Sequence, residues 1–564
     1  MSTQEPSKES TPNSFVCDCE EDMRYACASE GFYKKKEGKR YCVLHYPGGE
    51  KVEAFRTALN NKLASKDYNF NGVWFPKGVS FKELHLDGSA NFISASFNED
   101  IDFSGVEFKI RALFKNASFN AGVNFSRVIF FAGADFRSAS FSKDTDFASA
   151  SFRAEANFGA AIFSGNAGFS SAIFGGNADF GSSIFSGNAD FRDANFNGNA
   201  NFSSANFSMD AGFIFSIFSA DAFFHSASFS GNAGFGSASF NKDASFSSAS
   251  FNKDADFSSA SFSAVADFSS ASFNKDASFS RVSFNKDASF SSASFSADAY
   301  FIYASFSAFA DFSYATFKDY FYFDGGPKKR TFGDQQLNFQ FTHFEKPDRV
   351  SFHTLDLKPH WFVNVDSRKF VFIHVEFSFD LNEELKNLNN ANVSAPHRLL
   401  AIACRQLAVN AEENHRYRQA ANLRYASMDA QRLEWLQDRK IKEFQFLHWL
   451  YWIASGYGER INRAVVALVM LWLLFALSYK VVGFEHKTSK PSGNQSAISA
   501  QEDEVGKPLP FKKVFTYSLG VMSLQKPDPK PVTIAAQTLV IFETILCPIQ
   551  AALLALAIRR KFMR

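Results

Sequence analysis

Cysteine and histidine crowd into one short stretch near the start of the chain. Cys17, Cys19, Cys27, Cys42 and His45 fall close together, and Cys42-Val-Leu-His45 forms a Cys-x-x-His pair. Thiolate and imidazole donors at such spacing suit tetrahedral zinc, and a metal here would fold a segment too small to build its own core. Cys27, Cys42 and His45 with one of Cys17 or Cys19 complete four ligands, and the spacing leaves that choice open. Reduced, unligated thiols are the plainer alternative, and redox use is a third. Both leading readings fit a reducing compartment. With only 6 Cys in the chain, a disulfide scaffold is not expected.

A second chemical feature lies near the other end. Glu543 interrupts a long apolar segment, and Cys547 and Gln550 follow at i+4 and i+7, so the three share one helical stripe. An ionised carboxylate facing lipid costs several kcal/mol, which turns the stripe toward protein, a partner subunit or water. Glu543 is then either structural, protonated or bonded to the backbone or to Thr516, Tyr517 or Ser518, or part of a conduction path that Pro548 loosens as a hinge. No Ser/His/Asp set, phosphate loop or paired-carboxylate motif occurs, so no enzyme is expected, nor any cofactor besides structural zinc.

The elements that carry these sites announce themselves through phenylalanine, 72 residues of 564 against 7 Met and 16 Tyr. From Phe92 to Phe323 a Phe stands at every step, and the steps alternate five and six residues without a break. The register extends upstream through Phe70, Phe75, Phe81 and Leu86, and resumes after an insertion at 324–338 through Phe339, Phe344, Val350, Leu355 and Trp361. A small residue, usually Ala, stands two places before most of these Phe, and in a strand both then face one side. The extra residue of the six-residue blocks sits among Asn, Asp and Gly, which suit tight turns. Short strands joined by turns, each burying one Phe and one Ala, predict a β-solenoid whose core includes Phe136, Phe180, Phe235, Phe257 and Phe279.

These blocks resemble the pentapeptide-repeat proteins. That resemblance implies a right-handed quadrilateral β-helix, here with about 22 residues per coil because every second block is lengthened. Some 14 coils at about 4.8 Å each would give a rod of roughly 65–70 Å. Between Phe92 and Phe323 there are 22 acidic and 14 basic residues, a net −8. The whole chain carries +1, so neither a basic nucleic-acid binder nor a strong DNA mimic is expected. A scaffold that docks an unidentified protein is the expected role of the rod.

The boundaries read as a disordered start at 1–16, a Cys/His-rich cap at 17–66, the β-helix at 67–380 and a helical neck at 381–445. An aromatic interfacial segment at 446–460 precedes a first crossing at 461–483, a polar loop at 484–510 and a half-crossing helix at 511–526. A second crossing at 533–558 ends in a basic tail at 559–564. The order of helix, short helix, loop and helix resembles two-transmembrane potassium-channel pore domains, with Phe515-Thr-Tyr-Ser-Leu519 matching the pore helix and Leu539 to Pro548 the inner helix. Where that family has its filter, this chain has Leu524-Gln-Lys-Pro-Asp-Pro-Lys530, which cannot supply a ring of carbonyls on a Gly-containing strand. Ser455-Gly-Tyr-Gly-Glu-Arg460 precedes the first crossing and cannot be a filter either. That segment and the Arg-rich end resemble bacterial membrane proteins carrying pentapeptide repeats. The expectation is a channel-like homo-oligomer, a tetramer if it conducts, with Tyr517, Ser518, Glu543, Cys547 and Gln550 as its intramembrane polar residues. A membrane-anchored scaffold without conductance is the alternative. Arg-rich flanks predict a bacterial inner-membrane location with the solenoid and both ends cytoplasmic.

Overall fold

The computed structural model describes residues 15–326, 337–378, 380–390, 393–437, 443–482, 484–485, 505–507 and 509–562. Most of the expected disordered start, the insertion at 327–336, most of the polar loop at 484–510 and the last residues of the basic tail lie outside the described residues. The chain divides into two units. The first comprises residues 1–357 and 369–376, the second 358–368 and 377–564.

The first unit is a parallel β-solenoid with a small cap. Its strands are mostly dipeptides, one per block, and they fall into four parallel sheets of 13, 13, 11 and 12 strands. Every strand pairs with the one a full coil away, as in Phe119↔Phe141 and Ala134↔Ala156. One coil therefore takes four blocks, two of each length, as the repeat predicts. The longest sheets give 13 coils rather than the roughly 14 expected. The difference lies at the far end. Trp361 does not continue the ladder but sits in the 3-10 turn Pro359–Phe362, which belongs to the second unit. Pro359 has no N–H to give to a strand and starts that turn instead.

Inside the coils the Phe side chains are dry. Phe136, Phe180, Phe235, Phe257 and Phe279 are fully buried. Rings one coil apart stack face to face, Phe213 on Phe235 at 4.8 Å, and rings of the opposite face, two blocks on, meet them edge-on, Phe235 to Phe246 at 5.2 Å. Both arrangements suit the aromatic quadrupole. On the outside, the Asn and Asp of the six-residue blocks tie coil to coil. Asp144 accepts from the Asn166 N–H at 2.8 Å, Asn166 from Asn188 at 3.0 Å, Asn188 from Asp210 at 3.3 Å, and Asp210 from Asn232 at 2.9 Å. The repeated acids and amides therefore do more than permit a turn.

The five-residue blocks turn through a left-handed corner at a regular interval, at Ser237, Ser248 and Ser259 among others. At Ser248 φ is 57°, and the Ala249 N–H closes the turn on the Phe246 carbonyl at 3.1 Å. A branched Cβ fits such a corner poorly. Ser248→Val is expected to lose about 1–2 kcal/mol and Ser248→Gly nothing, read as denaturation midpoints of the two variants. Equal midpoints would show that the corner does not constrain the residue.

The cap holds a β-hairpin, Phe32–Lys36 with Lys39–Cys42, and helix α1, Val52–Ala64. Phe55 of α1 is fully buried and meets Phe75 edge-on at 5.4 Å, closing the open end of the Phe column.

The second unit is helical. Its helices are α2 (Leu381–Asn390), α3 (Pro396–Glu413), α4 (Tyr417–Gln437), α5 (Glu443–Ser455), α6 (Ile461–Ser478), α7 (Phe511–Met522) and α8 (Ile534–Phe562). Pro396 opens α3, where the missing N–H costs nothing. Helices α3 and α4 form the expected hairpin, burying Leu400, Cys404 and Leu407 against Ala420, Leu423 and Ala426, with Leu433 packed at the margin. A buried pair anchors the start of this unit, where Glu384 accepts from both the N–H and Nδ1 of His360 at 2.8 and 2.7 Å. Helix α8 runs beyond the expected crossing and absorbs Arg559, Arg560 and Lys561 of the basic tail.

Candidate metal centre and the polar network of the apolar helices

Four chain segments deliver the amino-terminal cluster. Cys17 precedes a 3-10 turn, Glu21–Cys27, that ends on Cys27, while the second hairpin strand ends on Cys42 and the following turn brings back His45. The donor atoms of Cys17, Cys27, Cys42 and His45 all lie within 4.8 Å of one another, and all four residues are buried. Cys17 Sγ stands 3.8 Å from Cys42 Sγ, and His45 Nδ1 lies 3.3 Å from Cys42 Sγ and 4.0 Å from Cys17 Sγ. Zinc bonds of about 2.3 Å to sulfur and 2.0–2.1 Å to nitrogen make tetrahedral edges of roughly 3.8 Å for S···S and 3.6 Å for S···N. The spacing among Cys17, Cys42 and His45 is close to tetrahedral edges and is far too long for a disulfide.

The surroundings orient the donors. His45 Nε2 donates to the Asn71 carbonyl at 2.9 Å, which leaves the Nδ1 lone pair directed at the sulfurs. Backbone N–H groups of Cys42 and His45 approach Cys17 Sγ at 3.3 Å and Cys42 Sγ at 3.4 Å. Hydrogen bonding with Cys19, Cys27 and Cys42 holds the Cys17 thiol far below its ordinary range, while bonding with Cys17, Cys19 and Cys42, together with burial, pushes Cys27 far up. Cys19 is half-exposed and stands outside the four. Of the two candidates the sequence left open, the geometry takes Cys17.

Lys51 was not singled out by spacing, yet it shapes this site. Fully buried, it donates to the carbonyls of Val43 and Leu44 at 2.7 Å each, bracing the turn between Cys42 and His45. Burial pulls its ammonium down to about 6.

In the second unit, α6 and α8 are long and apolar enough to cross a membrane. The shorter α7 packs against both. Glu543 is fully buried where the three meet. It accepts a hydrogen bond from Tyr479 Oη at 2.5 Å and another from Ser518 Oγ. Gln550 donates to the carbonyls of Ala454 and Ala464, at 2.6 and 2.9 Å, tying α8 to α5 and α6. Cys547 is buried in the apolar cluster around Phe475 and Val514. Tyr517 packs edge-on against Tyr479 at 5.1 Å and Phe484 at 4.9 Å. All five expected residues are therefore buried within the single chain.

One tie escaped the sequence reading. The Gly456-Tyr457-Gly458 turn has three successive left-handed residues, with φ of 54°, 60° and 72°. It buries Tyr457 and places Glu459 to accept from Arg424 of α4 at 3.1 Å and Arg560 of α8 at 3.2 Å. The Gly-Tyr-Gly segment is a left-handed corner between α5 and α6.

Residues 81–129, 158–205 and 246–294 match the family described as pentapeptide repeats (9 copies). No curated protein and no solved structure matches the chain. The fold is a parallel β-solenoid with four blocks to the coil, parts of which match that family, followed by helices that include two long apolar ones.

Proposed function

We propose that the protein is a membrane-embedded, channel-like homo-oligomer, with α6 and α8 as its crossings and the solenoid as a docking or sensing arm on the cytoplasmic side. The observation that supports this reading is α7, a helix too short to cross, pinned between two apolar helices by the Ser518–Glu543–Tyr479 network. Burying a carboxylate costs stability, and a simple two-helix anchor has no need of it. Holding a half-crossing helix at a fixed depth is a reason to keep it. Potassium selectivity is not part of the proposal, because Leu524 to Lys530 offers no glycine-bearing filter strand. No catalytic role is assigned to either unit.

A second reading, an anchored scaffold without conductance, is favoured by one observation. The outward face of α8 is apolar apart from residues such as Thr538 and Thr544, whose hydroxyls bond back to the carbonyls of Ile534 and Val540. Oligomeric state and ion flux separate the two. Purified protein in liposomes is expected to assemble as a tetramer or larger ring and to pass ions. A monomer or dimer with no flux would leave only the scaffold.

A further inference from the structure

We propose that Cys17, Cys27, Cys42 and His45 hold one structural zinc ion that locks the cap onto the solenoid and so seals the exposed end of its sheets. Four protein donors close the coordination sphere and leave no open position for a substrate, which makes the site structural. The donor set, three thiols and an imidazole, is soft enough to favour zinc over magnesium or calcium.

What sets this site apart from a free-standing zinc knuckle is where its second shell lies. The imidazole that offers Nδ1 to the cluster bonds through Nε2 to the carbonyl of Asn71, in the first coil. The turn between Cys42 and His45 accepts the Trp74 N–H on the Leu44 carbonyl at 3.1 Å, so the knuckle continues directly into the first solenoid strand. The Asn71 side chain reaches back to the Asp22 carbonyl at 3.1 Å, in the turn that carries Cys27. Lys62 of α1 donates to the Ala26 carbonyl at 3.0 Å, beside the same ligand. These contacts run from the ligand segments to the first coil and to the helix that covers Phe75.

A solenoid is stable as a stack of neighbours, and its terminal coil has a neighbour on one side only. Its uncovered strand edges also invite pairing with another chain. A cap that depends on metal therefore governs the first coils and not the central ones. The inference is independent of whether the apolar helices conduct, since it concerns the first unit alone.

The experiment uses the full-length protein in detergent, purified without chelators. Elemental analysis should find about one zinc per chain, retained in Cys19→Ser and lost in Cys42→Ser. Chelation of the wild type should speed hydrogen exchange of peptides from residues 68–97 on the order of tenfold or more, restored by added zinc, with peptides around Phe235 unchanged. The chelation arm stands even if Cys42→Ser does not fold. Wild-type protein without zinc, with stoichiometric iron instead, or with first-coil exchange indifferent to chelation would overturn the proposal.

Discussion

Phe235→Ala is expected to destabilise the solenoid by about 3–5 kcal/mol, among the largest effects any single truncation should have in this unit. The ring is fully buried, stacked at 4.8 Å on Phe213 and 4.9 Å on Phe257, and met edge-on by Phe224 at 5.3 Å and Phe246 at 5.2 Å. The lost ring cannot be replaced by collapse, because coil spacing is set by the backbone. Phe235 N–H donates to Asp256 O at 2.7 Å and Phe213 N–H to Gly234 O at 2.6 Å, so the floor and ceiling of the cavity are fixed. The penalty should stay local and then divide the stack, since each coil touches only its neighbours. Denaturant titration gives the magnitude, and faster hydrogen exchange in peptides covering residues 224–246 gives the place. A loss below about 1 kcal/mol would mean that neighbouring rings close over the gap, contrary to a backbone-fixed column.

The same redundancy explains what could be read from the sequence alone. One Phe position repeated at a fixed period reports its own burial many times over, so coil length, strand pairing and core residues were all legible. The end of the ladder was not. Leu355 to Trp361 keeps the six-residue step, but Pro359 overrides it, a single-residue veto that periodicity cannot register. In the Cys/His cluster the residue types and the Cys-x-x-His pair pointed to four donors, yet Cys17 and Cys19 are equivalent by spacing. The structure separates them by placing the Cys42 N–H on Cys17 Sγ at 3.3 Å. Partners distant along the chain were least visible. Ser518 could be guessed for Glu543 because α7 directly precedes α8, whereas Tyr479, 64 residues away, carries no local signal. Gln550 bonds to backbone carbonyls, which leave no trace in side-chain identity.

Replacing Glu543 by alanine should remove the brace of the apolar hairpin at a cost on the order of 4 kcal/mol, the sum of two orphaned hydroxyls at about 1–3 kcal/mol each and the cavity left behind. Tyr479 and Ser518 both donate to this one carboxylate, and its full burial leaves no water to take over. Loss of the brace should free α7 from between α6 and α8, read as a lower melting temperature in detergent and loss of the assembled species on gel filtration. Glu543→Gln is a different test. Its amide oxygen can accept from one hydroxyl while its N–H donates to the other, so the shape and most of the bonding survive without charge. A residue that only braces should tolerate this change within about 1 kcal/mol, and any conductance should keep its size and ion preference. A residue on the ion path should keep its assembly as Gln but change the current, because the charge that passing ions feel has gone. The burial of Glu543 inside one chain argues for the brace, so Ala is expected to abolish assembly and Gln to leave both assembly and current intact. An altered ion preference in Glu543→Gln, with assembly unchanged, would place the carboxylate on the path and overturn that reading.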